Sequence, residues 1–109
     1  MNCIRNILAV LLLLFSSTFY YSQCCTYTLD MQDSFGDGWN GGFITVTVAG
    51  VNMGTFSAAG FGSQSTFTAC SGNQISLTYT SGIWENENTY SLISPSGIIL
   101  FSDGPTPNT

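Results

Sequence analysis

Short segments that alternate apolar and polar residues recur along this chain, and turn residues separate them. Residues 43–49 show the pattern most clearly, because Ile44, Val46 and Val48 alternate with polar residues, as in a strand with one buried face. No stretch after the N-terminal segment carries a convincing helical periodicity. About seven short strands at this spacing predict an all-β fold, a small antiparallel β-sandwich that is jelly-roll-like. The predicted strands are residues 26–29, 43–49, 53–57, 64–70, 74–80, 89–93 and 98–101.

The first residues have the features of a secretory signal peptide. Arg5 precedes an apolar stretch, residues 7–15, that is too short for a comfortable membrane span. Cleavage near Ser22 or Gln23 would make residues 1–23 the signal peptide and residues 24–109 a secreted domain without a membrane span. An uncleaved anchor is the alternative.

Charge excludes several classes of function. Arg5 is the only basic residue and there is no histidine, so the formal charge of −5 becomes −6 when Arg5 leaves with the signal peptide. Nothing then remains to neutralise nucleic-acid phosphates or anionic lipid. Without histidine, lysine or a second arginine, the secreted domain also cannot form a catalytic triad. The only class of enzyme compatible with its residues is a glycosidase that uses paired carboxylates. Since so small a domain offers little cleft, we predict a protein that is not an enzyme.

Three cysteines remain after cleavage, which is an odd number for a secreted domain. Adjacent cysteines rarely bridge each other, so Cys70 should pair with one of the other two in an oxidising compartment. We assign its partner as Cys25, with Cys24 as the alternative. The third thiol is free, paired between chains, or lacks a partner that a longer C-terminus would supply.

The six acids are concentrated in segments rich in Gly, Asn or Ser, at residues 30–42, 84–88 and 101–104. Clustered carboxylates with no compensating cation repel one another unless a metal ion or a proton joins them. Sets of ligands that contain only oxygen suit Ca²⁺, and strand connections gather at the ends of a sandwich. We therefore predict a calcium site, and the candidate ligands are Asp33, Asp37, Asn40, Glu85, Glu87 and Asp103.

Two details qualify these ligands. Glu85 and Glu87 are two residues apart, so on an extended strand both would point to the same face. Asp30 ends the first predicted strand and is the least certain contributor. The alternative interpretation of the first segment is that its Asp and Asn residues only form Asx-turns.

Trp39 and Trp84 each lie beside an acidic segment. One interpretation is that they cover the core next to the site. The other makes them ligand-binding residues, exposed platforms on which the sugar rings of an extracellular glycan stack.

With these motifs in hand, the chain resembles a domain that recurs in secreted proteins of environmental Bacteroidetes. Its hallmarks are a D-S-[YF]-G-D-G-W-N-G loop after a C-x-Y-x-L strand, a W-E-N-E-x-x-Y segment and an F-S-D-G-P turn. Here they are residues 33–41, 25–29, 84–90 and 101–105. The resemblance implies a calcium-stabilised β-sandwich used for adhesion, matrix or assembly.

The chain departs from this domain at its C-terminus, where related domains continue into another strand. One expectation is an incomplete gene model. The other is a subunit that receives its missing strand from another copy of itself and polymerises, with the segment around residues 23–27 as the donor.

Overall fold

A computed structural model describes residues 23–109, which fold into two antiparallel β-sheets packed face to face. The predicted β-sandwich of seven strands is confirmed. The predicted signal peptide lies, apart from Gln23, outside the described residues. Between residues 23 and 109 no helix is long and apolar enough to cross a membrane. The strands are β1 Cys24–Asp33, β2 Phe43–Val48, β3 Val51–Phe56, β4 Gly62–Cys70, β5 Ile75–Thr80, β6 Asn88–Ile93 and β7 Ile99–Asp103.

The strand order is β4-β1-β6-β7 in the larger sheet and β3-β2-β5 in the smaller one. The connections β2–β3 and β6–β7 stay within a sheet. The other four cross between the sheets, as is usual in a β-sandwich. Two of the crossing connections, β1–β2 and β5–β6, carry most of the predicted calcium ligands.

The core forms where the alternating faces of the two sheets meet. Ile44, Val46 and Val48 are buried as their spacing predicts, and Leu29 and Met31 face them from β1. Each such side chain contributes about 1.5–3 kcal/mol when fully buried. This packing fixes the register of β1 and therefore the position of the residues at its end.

Strand β1 continues further than the sequence analysis predicts. Asp30 lies in the middle of the strand, where its carboxylate accepts hydrogen bonds from the side-chain amides of Gln32 and Gln64. Asp33 is the last residue of the strand and lies on the buried face, with Met31 two residues before it. Pairing with β6 extends the strand, since Asp33 lies opposite Asn88.

Cys70 is bonded to Cys24, so the assignment of Cys25 as its partner is wrong and the alternative is confirmed. The register of β1 and β4 explains why Cys24 is the partner, because Cys24 lies directly opposite Cys70 on β4. Cys25 lies opposite Ala69 and faces the core, with 6% of its surface exposed. No cysteine in the described part of the chain is a free thiol.

Candidate metal centre

Two loops meet at the end of the sandwich where β1 stops and β6 begins. The backbone N–H of Ser34 donates to the carbonyl of Glu87 at 3.0 Å, directly after the Asp33–Asn88 pair. Carboxylate oxygens of Asp33, Asp37 and Glu87 thereby lie within 4.8 Å of one another. We call these three residues the acidic cluster. It contains three of the six predicted ligands.

Asp33 organises the first of these loops. Its side chain is 1% exposed and accepts backbone N–H bonds from Phe35 at 3.3 Å, Gly36 at 3.1 Å and Asp37 at 2.8 Å. Gly36 has φ of 93°, which favours glycine and lets the chain wrap around the carboxylate. Burial opposes the charge of Asp33, but hydrogen bonds from the backbone of Phe35 and from Asp37 outweigh burial and lower the pKa of Asp33. The wrapped loop brings Asp37 back towards Asp33.

Glu87 meets the opposite electrostatic environment. Desolvation is the largest cause that raises the pKa of Glu87, and the charges of Asp37 and Asp33 raise this pKa further. Its Oε1 atom is buried and receives no hydrogen bond from the described residues. A buried carboxylate oxygen without a donor is costly unless a proton or a cation meets it.

Asn88 supplies a second buried oxygen without a donor, which the sequence analysis missed. The residue is 0% exposed, and its Nδ2 donates to the Tyr79 hydroxyl at 2.8 Å. Its Oδ1 has no partner among the described residues. Because Asn88 lies opposite Asp33 in the ladder, the two side chains share one face of the sheet. In the sequence, the only signal for this buried oxygen was that an asparagine directly follows Glu87.

Glu85 lies outside the acidic cluster, so the prediction that Glu85 and Glu87 face the same way is wrong. Residues Glu85–Glu87 form one turn of 3₁₀ helix instead of an extended strand. The Glu85 carboxylate accepts hydrogen bonds from the Tyr79 hydroxyl and from the backbone N–H of Gly82, the latter at 2.6 Å. Burial of Tyr79 and its hydrogen bond with Glu85 raise the pKa of Tyr79 to about 12. Glu85 therefore anchors the loop that presents Glu87.

The side chains of Asn40 and Asp103 form hydrogen bonds with residues close to them in the sequence. The side-chain amide of Asn40 donates to the carbonyl of Gly38 at 3.0 Å. Asp103 accepts the backbone N–H groups of Gly104 at 2.8 Å and Asn108 at 2.9 Å. Asp103 is not among the carboxylates that the structure brings together, and the hydrogen bond of Asn40 lies within its own turn.

The two tryptophans have different environments. Trp39 is 1% exposed, donates from Nε1 to the carbonyl of Gln32 at 2.9 Å, and packs edge-on against Tyr79. The interpretation of Trp39 as a core residue is confirmed, and its assignment as an exposed sugar platform is wrong. Trp84 is 61% exposed and precedes the 3₁₀ turn in a left-handed conformation, with φ of 61°.

The donor set of the acidic cluster fits a hard cation. It offers three carboxylates, and oxygen ligands suit Ca²⁺ better than they suit softer metals. Asn88, whose Oδ1 has no donor, lies on the same face of the sheet as Asp33 and is a further candidate ligand. Asp37 and Glu87 are the main candidates for charge compensation, since the carboxylate of Asp33 already accepts three backbone N–H bonds. A cation here would bridge the β1–β2 and β5–β6 loops.

We expect the metal-free protein to become more stable as the pH falls from 7 towards the ordinary glutamate pKa of 4.5. The raised pKa of Glu87 means that the folded state binds this proton more readily. That stabilisation is complete below 4.5 and is lost as the pH rises through the folded-state pKa. Asp33 acts oppositely, since its lowered pKa removes stability as the pH falls below 3.8.

Thermal unfolding of metal-stripped protein between pH 3 and pH 8 measures this profile. The Glu87→Gln variant is the control and should flatten the rise between pH 7 and 5. A rise that persists unchanged in this variant would contradict the assignment to Glu87.

Comparison with known proteins assigns the chain to no family: no family model, no curated protein and no solved structure matches it.

Proposed function

We propose that this protein is a secreted, non-enzymatic, calcium-binding β-sandwich module with a structural or adhesive role. The observation that carries the proposal is the convergence of three carboxylates within 4.8 Å, one of them with a buried oxygen that has no donor. Arg5 is the only basic residue in the sequence, so residues 23–109 contain no side chain that could neutralise the cluster. A divalent cation does so directly.

Calcium is the best candidate among the hard cations. It accepts six to eight oxygen ligands in flexible geometry, and a site made from two loops can supply unequal numbers of carboxylate, amide and water oxygens. Magnesium requires a near-ideal octahedron and dehydrates reluctantly. The mixed donors of Asp37, Glu87 and Asn88 therefore favour the larger ion.

The expected role of the ion is structural. It would join the loop after β1 to the loop before β6, which are otherwise linked by backbone bonds such as the one from Ser34 to Glu87. Extracellular calcium is abundant enough to occupy weak sites of this kind. Secretion is also supported by the Cys24–Cys70 disulfide, since such bonds persist in oxidising compartments.

We expect Ca²⁺ to raise the free energy of unfolding by about 2.7 kcal/mol when its free concentration is a hundred times its dissociation constant. For a domain of this size, that corresponds to an increase in Tm of roughly 10–20 °C. Thermal unfolding in calcium and in excess chelator measures the effect, with magnesium at the same concentration as the control. Identical Tm values in calcium and in chelator would refute the proposal.

A second candidate function, binding of an extracellular glycan, rests on the exposure of Trp84. An indole that is 61% exposed beside the 3₁₀ turn offers a face on which a sugar ring can stack. Affinity electrophoresis in gels that contain soluble polysaccharides should show retardation that Trp84→Ala abolishes. Equal mobility of both proteins in every gel would leave only the structural role.

A further inference from the structure

The two sheets of the sandwich differ by one strand, and β7 consequently has no strand facing it. β5 faces β6, because the rings of Tyr79 and Tyr90 stack with 6.2 Å between their centroids. β7 lies one position beyond β6, whereas β5 is the last strand of the smaller sheet. In the described part of the chain, no strand occupies the position beside β5 that would face β7.

That position is an apolar groove of about 290 Å³, lined by Ile75, Leu77, Leu92 and Phe101. The large hydrophobic residues from Ile98 to Phe101 adjoin it and are between 47% and 62% exposed. Among the described strands, β5 and β7 each have a hydrogen-bonded neighbour on one side only. Proteins normally protect such edges with charge, proline or a covering segment. An apolar edge without these devices has the properties of an interaction surface.

The N-terminus of the domain does not supply the missing strand. Residues 23–27 are the expected donor from the sequence analysis. That expectation is wrong, because residues 24–27 are paired with residues 67–70 of β4, and Cys24 is bonded to Cys70. A segment that is paired with its own sheet and bonded through Cys24 cannot be donated to a neighbour without unfolding its own domain.

Pairing of β5 with β5 of a second copy is sterically blocked. A two-fold axis that makes these strands antiparallel neighbours places both larger sheets on the same side. Because β7 extends beyond β5, it would then overlap β6 of the partner. The vacant position facing β7 is therefore one strand wide, and the occupant lies at the level of the smaller sheet.

We propose that a second copy of the protein fills the groove, with β7 of each protomer lying beside β5 of its partner. A two-fold axis parallel to the strands then makes the larger sheet of one protomer continue into the smaller sheet of the other. Four strands and three strands add to seven in each of the two continuous sheets. Every position is filled once, and the two copies of β7 face each other across the core.

The strand directions define the new pairing. β7 runs in the same direction as β1, since β6 is antiparallel to both. β5 begins at the end of the sandwich where β1 begins, because a short turn links β5 to Cys70, which pairs with Cys24. The contact between β5 and the partner's β7 is therefore parallel, a pairing slightly less stable than the antiparallel one.

The lack of charge at this edge allows a second copy to be the occupant. Each domain carries six acids and no base after Arg5, so most approaches between copies are repulsive. β5 contains no acid, and β7 contains only Asp103 at its last residue. The uncharged edge is where two anionic copies can come together. With six and five strand residues per copy, the contact is smaller than a standard interface of about 20–30 residues a side, so association should depend on concentration.

Sedimentation equilibrium of the purified protein over a range of concentrations tests the proposal. We expect a monomer–dimer equilibrium. Phe101→Lys and Ile75→Lys, one from each strand of the contact, should each weaken association at least tenfold. Val51→Lys is the matched control, since Val51 is 61% exposed on β3, the edge strand at the opposite side of the smaller sheet, and its dimer should be unchanged.

Thermal unfolding followed by circular dichroism reports the folding of each variant separately from calcium binding, and a retained cooperative transition shows that a loss of association is local to the edge. A monomer at every concentration would overturn the dimer. So would a Val51→Lys effect as large as that of Phe101→Lys. Dimerisation that Ile75→Lys leaves intact would also overturn the reciprocal arrangement, because β5 would then lie outside the interface.

Discussion

An Asp37→Asn variant should fold like the unmodified protein and lose the calcium-dependent stabilisation. The Asp37 side chain is exposed, and its carboxylate is one of the three that converge in the acidic cluster. Replacing it with the neutral amide removes a strong ligand and also relieves repulsion with Glu87. We therefore expect two changes in opposite directions: a slightly higher Tm in chelator, and little or none of the increase in Tm that calcium produces in the unmodified protein.

Glu87→Gln should behave in the same way, because the variant keeps the shape of the side chain and removes its charge. Asp30→Asn is the matched control. It makes the same chemical change in β1, where the carboxylate contacts the amides of Gln32 and Gln64 and lies outside the acidic cluster. Calorimetric titration with calcium ranks the three variants. An Asp30→Asn loss equal to that of Asp37→Asn would show that calcium acts through general charge screening, with no site at the cluster.

Glu85→Gln separates the ligand from the residue that positions it. Glu85 accepts hydrogen bonds from Tyr79 and from the Gly82 backbone, so its loss should lower stability both with and without calcium. Asp37→Asn, by contrast, should lower stability only when calcium is present. This difference in pattern identifies which acid touches the ion.

The strands of this fold could be predicted from the sequence because their signals are local. The alternation of Ile44, Val46 and Val48 with polar residues specifies one buried face whatever the opposing sheet contains. The end of β1 was less predictable, since Asp33 is a strand residue only through its pairing with Asn88 of β6. A polar strand end of this kind has the same composition as a turn.

The acidic cluster could be predicted in part. Asp33, Asp37 and Glu87 were identified from clustering of charge, which is a global property of the sequence. Glu85 was misassigned because local spacing was interpreted with the geometry of a strand, whereas Trp84 in a left-handed conformation starts a 3₁₀ turn. Because of that turn, the side chain of Glu85 contacts Tyr79, whereas the side chain of Glu87 lies in the acidic cluster.

The groove beside β5 had no signal in its own segment, and the signal for Asn88 was only its position after Glu87. The Oδ1 of Asn88 lacks a donor because of what surrounds it after folding. The groove exists because one sheet has four strands and the other three, which depends on how all seven strands are ordered. Properties of this kind are absent from any short window of sequence.

Replacing both Cys24 and Cys70 with serine should lower the free energy of unfolding by about 4 kcal/mol, the loop-closure value for a bond that links residues 46 apart. That is a large fraction of the 5–15 kcal/mol that typically stabilises a domain. The bond ties the first residue of β1 to the last residue of β4, and β1 lies between β4 and β6 in the larger sheet. Its loss should therefore loosen the end of the sandwich opposite the acidic cluster.

The double variant is preferable to a single one, because a lone Cys70 could exchange with the neighbouring Cys25. Denaturant unfolding in excess calcium measures the change, and the same experiment in chelator gives the calcium contribution for each protein. Because the disulfide and the acidic cluster lie at opposite ends of β1, the two contributions should add within about 0.5 kcal/mol. A calcium effect that disappears with the disulfide would show that the cluster forms only when the far end of β1 is fixed, and the ion would then report on the fold as a whole instead of stabilising its own two loops.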